Sequence, residues 1–200
     1  MSFFRNTYLI MRHGQSEANA RGVIVSSAEI GCRQFGLTAL GAEQAERSAK
    51  LFADKAVSRV VCSDFLRTLE TATIAAKTLN LAEPQIDQGL RERFFGCWDG
   101  QSHDHYESVW LRDAGHKDAV DDGVESTAAV LLRGIGVLKR LEESYQDETI
   151  LLVSHGDMLQ ILRTAFVGID SSEHRSLPHH ETGEIRELVK QAVRYPLALQ

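Results

Sequence analysis

Short apolar runs recur along the chain, each closed by a polar residue and followed by a stretch of helical periodicity. "YLIM", at positions 8–11, stops at Arg12, and its brevity and bulk predict a buried strand. Behind Thr38, a candidate N-cap, Leu40, Gln44, Ala45, Ala49 and Phe52 fall at helical spacing and predict a helix to about Asp54. "RVVCS", at 59–63, repeats the strand signal. A helix capped by Ser63 or Asp64 should follow, with Leu66, Leu69, Ala72, Ala76 and Leu79 on one face. The pattern then loosens into a brief strand near 84–89 and a loop, "RERFFGCWDG", marked by Gly96 and Gly100. "DHYESVWLRDAG" predicts a short helix ending at Gly115, "HKDAVDDG" a loop, and positions 125–145 a long helix despite Gly134 and Gly136. The strongest strand signal is 149–154, with a helix over 157–167 behind it. "GEIRELVKQAV" fits helical composition and strand alternation equally, and propensity does not choose between them.

Strands alternating with helices predict an α/β fold, a three-layer α/β/α arrangement with a mostly parallel central sheet. Two hundred residues without repeats or linkers fit a single domain spanning 1–200, with the segment 101–123 as the candidate for a small lid. In such sheets ligands sit beyond the carboxyl ends of the strands, where helix amino termini also converge.

Composition narrows the field. A net charge of -6 argues against a nucleic-acid partner, since phosphate backbones are gripped by broad basic surfaces. No apolar run reaches the length of a membrane span, and "MSFFRNTYLIMRHG" lacks the layout of a secretory signal, so a cytoplasmic location is expected. The three cysteines, Cys32, Cys62 and Cys97, show no CxxC spacing and predict neither a disulfide framework nor a zinc site.

The candidate chemistry lies at the strand ends. His13 follows the first strand and His155 the strand at 149–154, so a parallel sheet delivers both imidazoles to one edge. Arg12 accompanies the first, and Arg67 lies one turn into the helix after the second strand. Two histidines and two arginines converging in an acidic chain suit a small anion, whose oxygens a forked guanidinium matches. Taken singly, each histidine would more simply be a hydrogen-bonded structural residue, and Arg67 a solvated helix residue.

"RHGQSEAN" resembles the signature of the histidine phosphatase superfamily, the family of cofactor-dependent phosphoglycerate mutases, fructose-2,6-bisphosphatases and several small phosphatases. "LTALGAEQA", "SDFLRTLETA", "LRERFFGCWDG" and "LLVSHG" resemble its later blocks in the same order, so the likeness covers 8–168. The resemblance implies that His13 is the nucleophile accepting the phosphoryl group, its other ring nitrogen held by a backbone carbonyl. Arg12, Arg67 and His155 would line the phosphate, and Glu92 would donate a proton to the leaving oxygen and then activate water. From its neighbours alone, Glu92 reads as a surface ion pair with Arg91 or Arg93. Ser16, Asn19 and the backbone at Gly156 would contact substrate, with Gly14 allowing close backbone approach.

The chain departs from many relatives at "CRQFGLT" and "DDGVES", where substrate selection is expected. It also has no long basic insertion before the second histidine block. Asp104, Glu107, Asp113, Asp118, Asp121 and Asp122 outnumber Arg112 and Lys117 there, which favours a phosphatase acting on a small phosphorylated metabolite over a phosphoglycerate mutase, the alternative. No metal or cofactor is expected, and the chain would act as a monomer or homodimer. "GIG" at 134–136 lacks the spacing of a nucleotide loop. His103, His105, His179 and His180 read as solvent-exposed side chains, because no regular ligand set surrounds them.

Overall fold

The structure, a computed structural model, describes residues 4–115 and 122–189. In chain order the elements are β1 (Thr7–Arg12), α1 (Glu17–Arg21), α2 (Ala28–Gly31), α3 (Ala39–Leu51), β2 (Arg59–Cys62), α4 (Leu66–Thr78) and β3 (Gln85–Ile86). Then come α5 (His105–Ala114), α6 (Thr127–Ser144), β4 (Thr149–Ser154), α7 (Gly156–Val167) and β5 (Ile185–Glu187). Among the described residues four 3-10 turns interrupt the loops, the last at Ser171–Ser176.

The five strands form one sheet in the order β3-β2-β4-β1-β5, parallel except for β5, which runs antiparallel to β1 at the edge. Alternation along each strand feeds two cores. Tyr8, Ile10, Val61, Ile150 and Leu152 pack on Val137 and Leu138 of α6 and Leu159 and Leu162 of α7. Leu9, Met11, Val60, Cys62, Leu151 and Val153 pack on Ala45 and Ala49 of α3 and Ala72, Ala75 and Ala76 of α4. Both faces of the strands are buried, which is why they read as continuous apolar runs. The α/β/α layering expected from the sequence is present. Among the described residues no helix is long and apolar enough to cross a membrane.

Local detail sharpens or corrects the expectations. Thr38 caps α3 as expected, its Oγ1 accepting from Gly41 N at 3.1 Å, but the helix stops at Leu51 and a 3-10 turn carries the chain to Lys55. The N-cap of α4 is Phe65, without a side-chain bond, rather than Ser63 or Asp64. Those two side chains have other work: Ser63 faces His155, and Asp64 binds Arg91. Gly134 sits inside α6 because a Cβ there would lie 2.8 Å from Cε of Met158, so the glycine lets α6 and α7 approach. The ambiguous carboxyl segment is a strand over its described part: β5 completes the sheet on β1, whose edge would otherwise be open. The rest of "GEIRELVKQAV", from 190 on, lies outside the described residues.

Candidate active site

The carboxyl ends of β1, β4 and β2 meet at one edge, and a cavity of about 220 Å³ opens above them. Its wall includes Arg12, His13, Ser16, Asn19, Arg67, Glu92 and Gly156 from the sequence-derived set. His155 is brought to the same place, fully buried, but stands behind Arg67 rather than in the wall.

His13 is fixed by the backbone. Its N–H continues the β1–β4 ladder to the Ser154 carbonyl at 2.9 Å, and its Nδ1 lies 2.7 Å from its neighbour's carbonyl, Gly14 O. Only a protonated Nδ1 bonds a carbonyl, so the lone pair is on Nε2. Gly14 is demanded by packing: a Cβ there would fall 2.2 Å from the Gly41 carbonyl of α3. Burial, followed by the charges of Arg67 and Arg12, holds the His13 imidazole well below its ordinary pKa, so it is neutral at pH 7.

Arg67, buried in the first turn of α4, is the hub. Its Nε donates to His13 Nε2 at 3.1 Å, and its Nη2 donates to Val25 O and His155 Nδ1, both at 2.9 Å. Because an arginine only donates, His155 accepts at Nδ1 and carries its proton on Nε2, 3.0 Å from Ser63 Oγ. Burial and the Arg67 charge keep His155 neutral as well. Arg67 Nη1 and Arg12 Nε are buried with no partner among the described residues. Two unsatisfied cationic donors beside a cavity are the signature of an anion site.

Glu92 is buried and takes no part in the ion pair its neighbours suggested. Arg91 binds Asp64, and Arg93, only 2% exposed, grips Asp113 with two bonds of 2.6 and 2.8 Å. Glu92 Oε1 instead accepts from Arg93 N at 2.9 Å and from Met158 N, in the first turn of α7, at 3.2 Å. Burial first, then the nearby Asp157 charge, raise its pKa against the pull of Arg67 and these two N–H groups. Asp157 itself is buried, yet the nearby His174 ring, 3.7 Å away, the Arg93 charge and the bonds from the Trp110 indole N–H outweigh desolvation and keep it ionised. Ser16 and Asn19 form the capping box of α1, with the Ser16 hydroxyl donating to Asn19 Oδ1 at 3.0 Å. Asn19 is exposed at the cavity wall.

Several residues of the site had no sequence signal. Arg133 of α6 donates to the Gly89, Arg91 and Glu92 carbonyls at 2.8, 2.6 and 3.1 Å and so clamps the loop that carries Glu92. Tyr106 and Trp110 of α5 line the cavity, as does Arg175. His179, exposed as expected, also lines it and places Nε2 2.8 Å from Arg12 Nη1. His180, expected to be exposed, is fully buried with Nε2 2.9 Å from the Glu184 carbonyl, because it closes the turn that leads into β5. Among the described acidic residues of 101–123 none lines the cavity, and Asp113 pairs with Arg93 and Asp122 with Arg112; Asp118 and Asp121 lie outside the described residues. Among the described residues no group of three or more histidine, cysteine, aspartate or glutamate side chains is placed to hold a metal.

The cavity thus gathers a neutral histidine at the end of β1, two arginines with spare donors and a buried glutamate. The family model of the histidine phosphatase superfamily (branch 1) matches residues 8–194. The chain belongs to the histidine phosphatase superfamily. This histidine phosphatase is 30% identical over 168 residues to the adenosylcobalamin/alpha-ribazole phosphatase of Escherichia coli, covering 80% of this chain and 78% of that protein. It is also 30% identical over 172 residues to the glucosyl-3-phosphoglycerate phosphatase of Mycolicibacterium vanbaalenii, covering 80% of this chain and 74% of that one. The solved structure of Bacillus stearothermophilus YhfR shares its fold with a TM-score of 0.77 at 23% identity, over 91% of this chain and 90% of that one.

Proposed function

We propose that the chain hydrolyses a small phosphorylated metabolite through a phosphohistidine on His13, with Glu92 as acid and then base. The observation that carries this reading is the tautomer of His13: the Gly14 carbonyl accepts from Nδ1–H, and the Nε2 lone pair, beside the cavity, accepts from Arg67 Nε. An incoming phosphate takes the Arg67 N–H bonds and the spare Arg12 donor. That leaves Nε2 open to attack phosphorus in line with the ester oxygen. The Nε2–P bond forms as the P–O ester bond breaks, and protonated Glu92 gives its proton to the departing oxygen. A raised pKa suits that task.

In the second half, ionised Glu92 takes a proton from water, whose oxygen attacks phosphorus and breaks the Nε2–P bond. Arg12 and Arg67 hold the equatorial oxygens throughout, as preorganised donors. His155 keeps Arg67 in place without adding charge, and Asn19, Ser16 and the α7 amino terminus at Gly156 complete the wall around the substrate.

The phosphatase names of both 30%-identical relatives favour hydrolysis over phosphoryl transfer to a second hydroxyl. A phosphate-release screen over phosphorylated metabolites, phosphopeptides and 3-phosphoglycerate, with identification of the organic product, tests this. We expect inorganic phosphate and the free alcohol in equal amounts. Isomerised phosphoglycerate without phosphate release would instead mark a mutase.

A further inference from the structure

The rim of the cavity holds a third guanidinium that one phosphate does not require. Arg175, in the turn Ser171–Ser176, lies with its guanidinium carbon 3.7 Å from the centre of the Trp110 ring. Its Nη1 donates to Oε1 of Gln160 at 2.6 Å, and Gln160, 1% exposed, is itself anchored through Nε2 to the Leu177 carbonyl at 2.8 Å. His179 stands between the arginines, with Nε2 2.8 Å from Arg12 Nη1 and Nδ1 3.5 Å from Arg175 Nη1. The bonds of Arg12, Arg67 and Arg175 go to histidine rings, backbone carbonyls and one side-chain amide. Among the described residues no carboxylate lies within ion-pair distance of any of the three. The carboxylates in the wall, Glu92 and Asp157, are engaged by backbone N–H groups and by Trp110 and Arg93.

A phosphate dianion matches Arg12 and Arg67, and Arg175 is left over, already oriented and one imidazole's breadth away. An aromatic substrate is disfavoured at this position, because Arg175 and the stacked Tyr106 ring, 5.2 Å away, already occupy Trp110. Resting on the phosphatase reading above, we propose that Arg175, with His179, forms a second anion subsite. The substrate is then a phosphomonoester that carries a further oxyanion close to the ester.

Two matched pairs of probes test this and separate the two sources of that charge. The carboxylate arm compares 3-phosphoglycerate with glycerol phosphate; the phosphate arm compares propane-1,3-diol bisphosphate with the monophosphate. The wild-type enzyme should favour the doubly anionic member of at least one pair by about 10- to 100-fold in kcat/KM, chiefly through KM. Arg175→Met should bring that ratio towards one, and Arg175→Lys should keep part of it. A ratio taken within one variant cancels any general loss of activity, and the wild-type ratio decides the matter if a variant does not fold. Equal turnover in both wild-type pairs, or a preference that survives Arg175→Met, overturns the subsite while p-nitrophenyl phosphate hydrolysis leaves the phosphatase reading standing. No phosphate release from any probe defeats both.

Discussion

On the floor of the cavity, His13 and Arg67 are tied to main-chain carbonyls, Gly14 and Val25, that the sheet and the neighbouring loop hold rigid. On the rim, Arg175 and His179 are held by other side chains, Trp110, Gln160 and Arg12, and are partly open to water. The floor has two orphaned donors and neutral imidazoles, an arrangement that serves one chemistry. The rim has a guanidinium placed on an aromatic shelf, an arrangement that can change without disturbing the strands below. Chemistry and selectivity are therefore built from different materials in this fold, and substitutions should separate them.

The largest effect belongs to the floor. Arg67→Met removes the donor that touches both histidines and exposes its partners unpaired, so kcat/KM for p-nitrophenyl phosphate should fall about 10³-fold or more. Arg67→Lys should recover little, since one ammonium cannot reach His13, Val25 and His155 together. Recovery to near wild-type with lysine would show that only charge matters there.

The next effect is read in the pH profile of kcat/KM. Glu92 acts as an acid only while protonated, so the rate should decline as pH rises through its raised pKa. Glu92→Gln should cost about 10²-fold and erase that alkaline decline. Asp157→Asn removes a negative neighbour, which makes Glu92 easier to ionise, so the decline should move to lower pH. A decline that stays put, or moves up, would remove Asp157 from the account of Glu92. The smallest effect is on the rim, where Arg175→Met should change the ratio between substrates more than the rate for a plain aryl phosphate.

How much of this was legible beforehand follows the same division. The floor could be read because its residues sit beside strand ends: "LIMRHG" and "LLVSHG" place His13 and His155 by register alone, and β1 and β4 do pair residue for residue from Thr7 and Thr149. The three-layer fold was legible because buried parallel strands are apolar on both faces. The rim was not, since Arg175, His179 and Trp110 meet only through tertiary packing of α5 against the turn after α7. Arg133 carries no sequence signal, because the carbonyls it clamps lie some forty positions away. In the acidic segment 101–123 composition shows the charge, but not that Asp113 and Asp122 pair with Arg93 and Arg112.

The central claim is that phosphorus is transferred to Nε2 of His13. The most direct measurement is to quench the Glu92→Gln variant during turnover of p-nitrophenyl phosphate and locate the covalent phosphate by peptide mass spectrometry. An aryl leaving group needs little protonation, so the enzyme still phosphorylates, while loss of the base slows hydrolysis of the intermediate. The account predicts an acid-labile phosphate on His13, absent when His13 is also replaced by alanine. Phosphate on another residue, or labelling that survives His13→Ala, would contradict it.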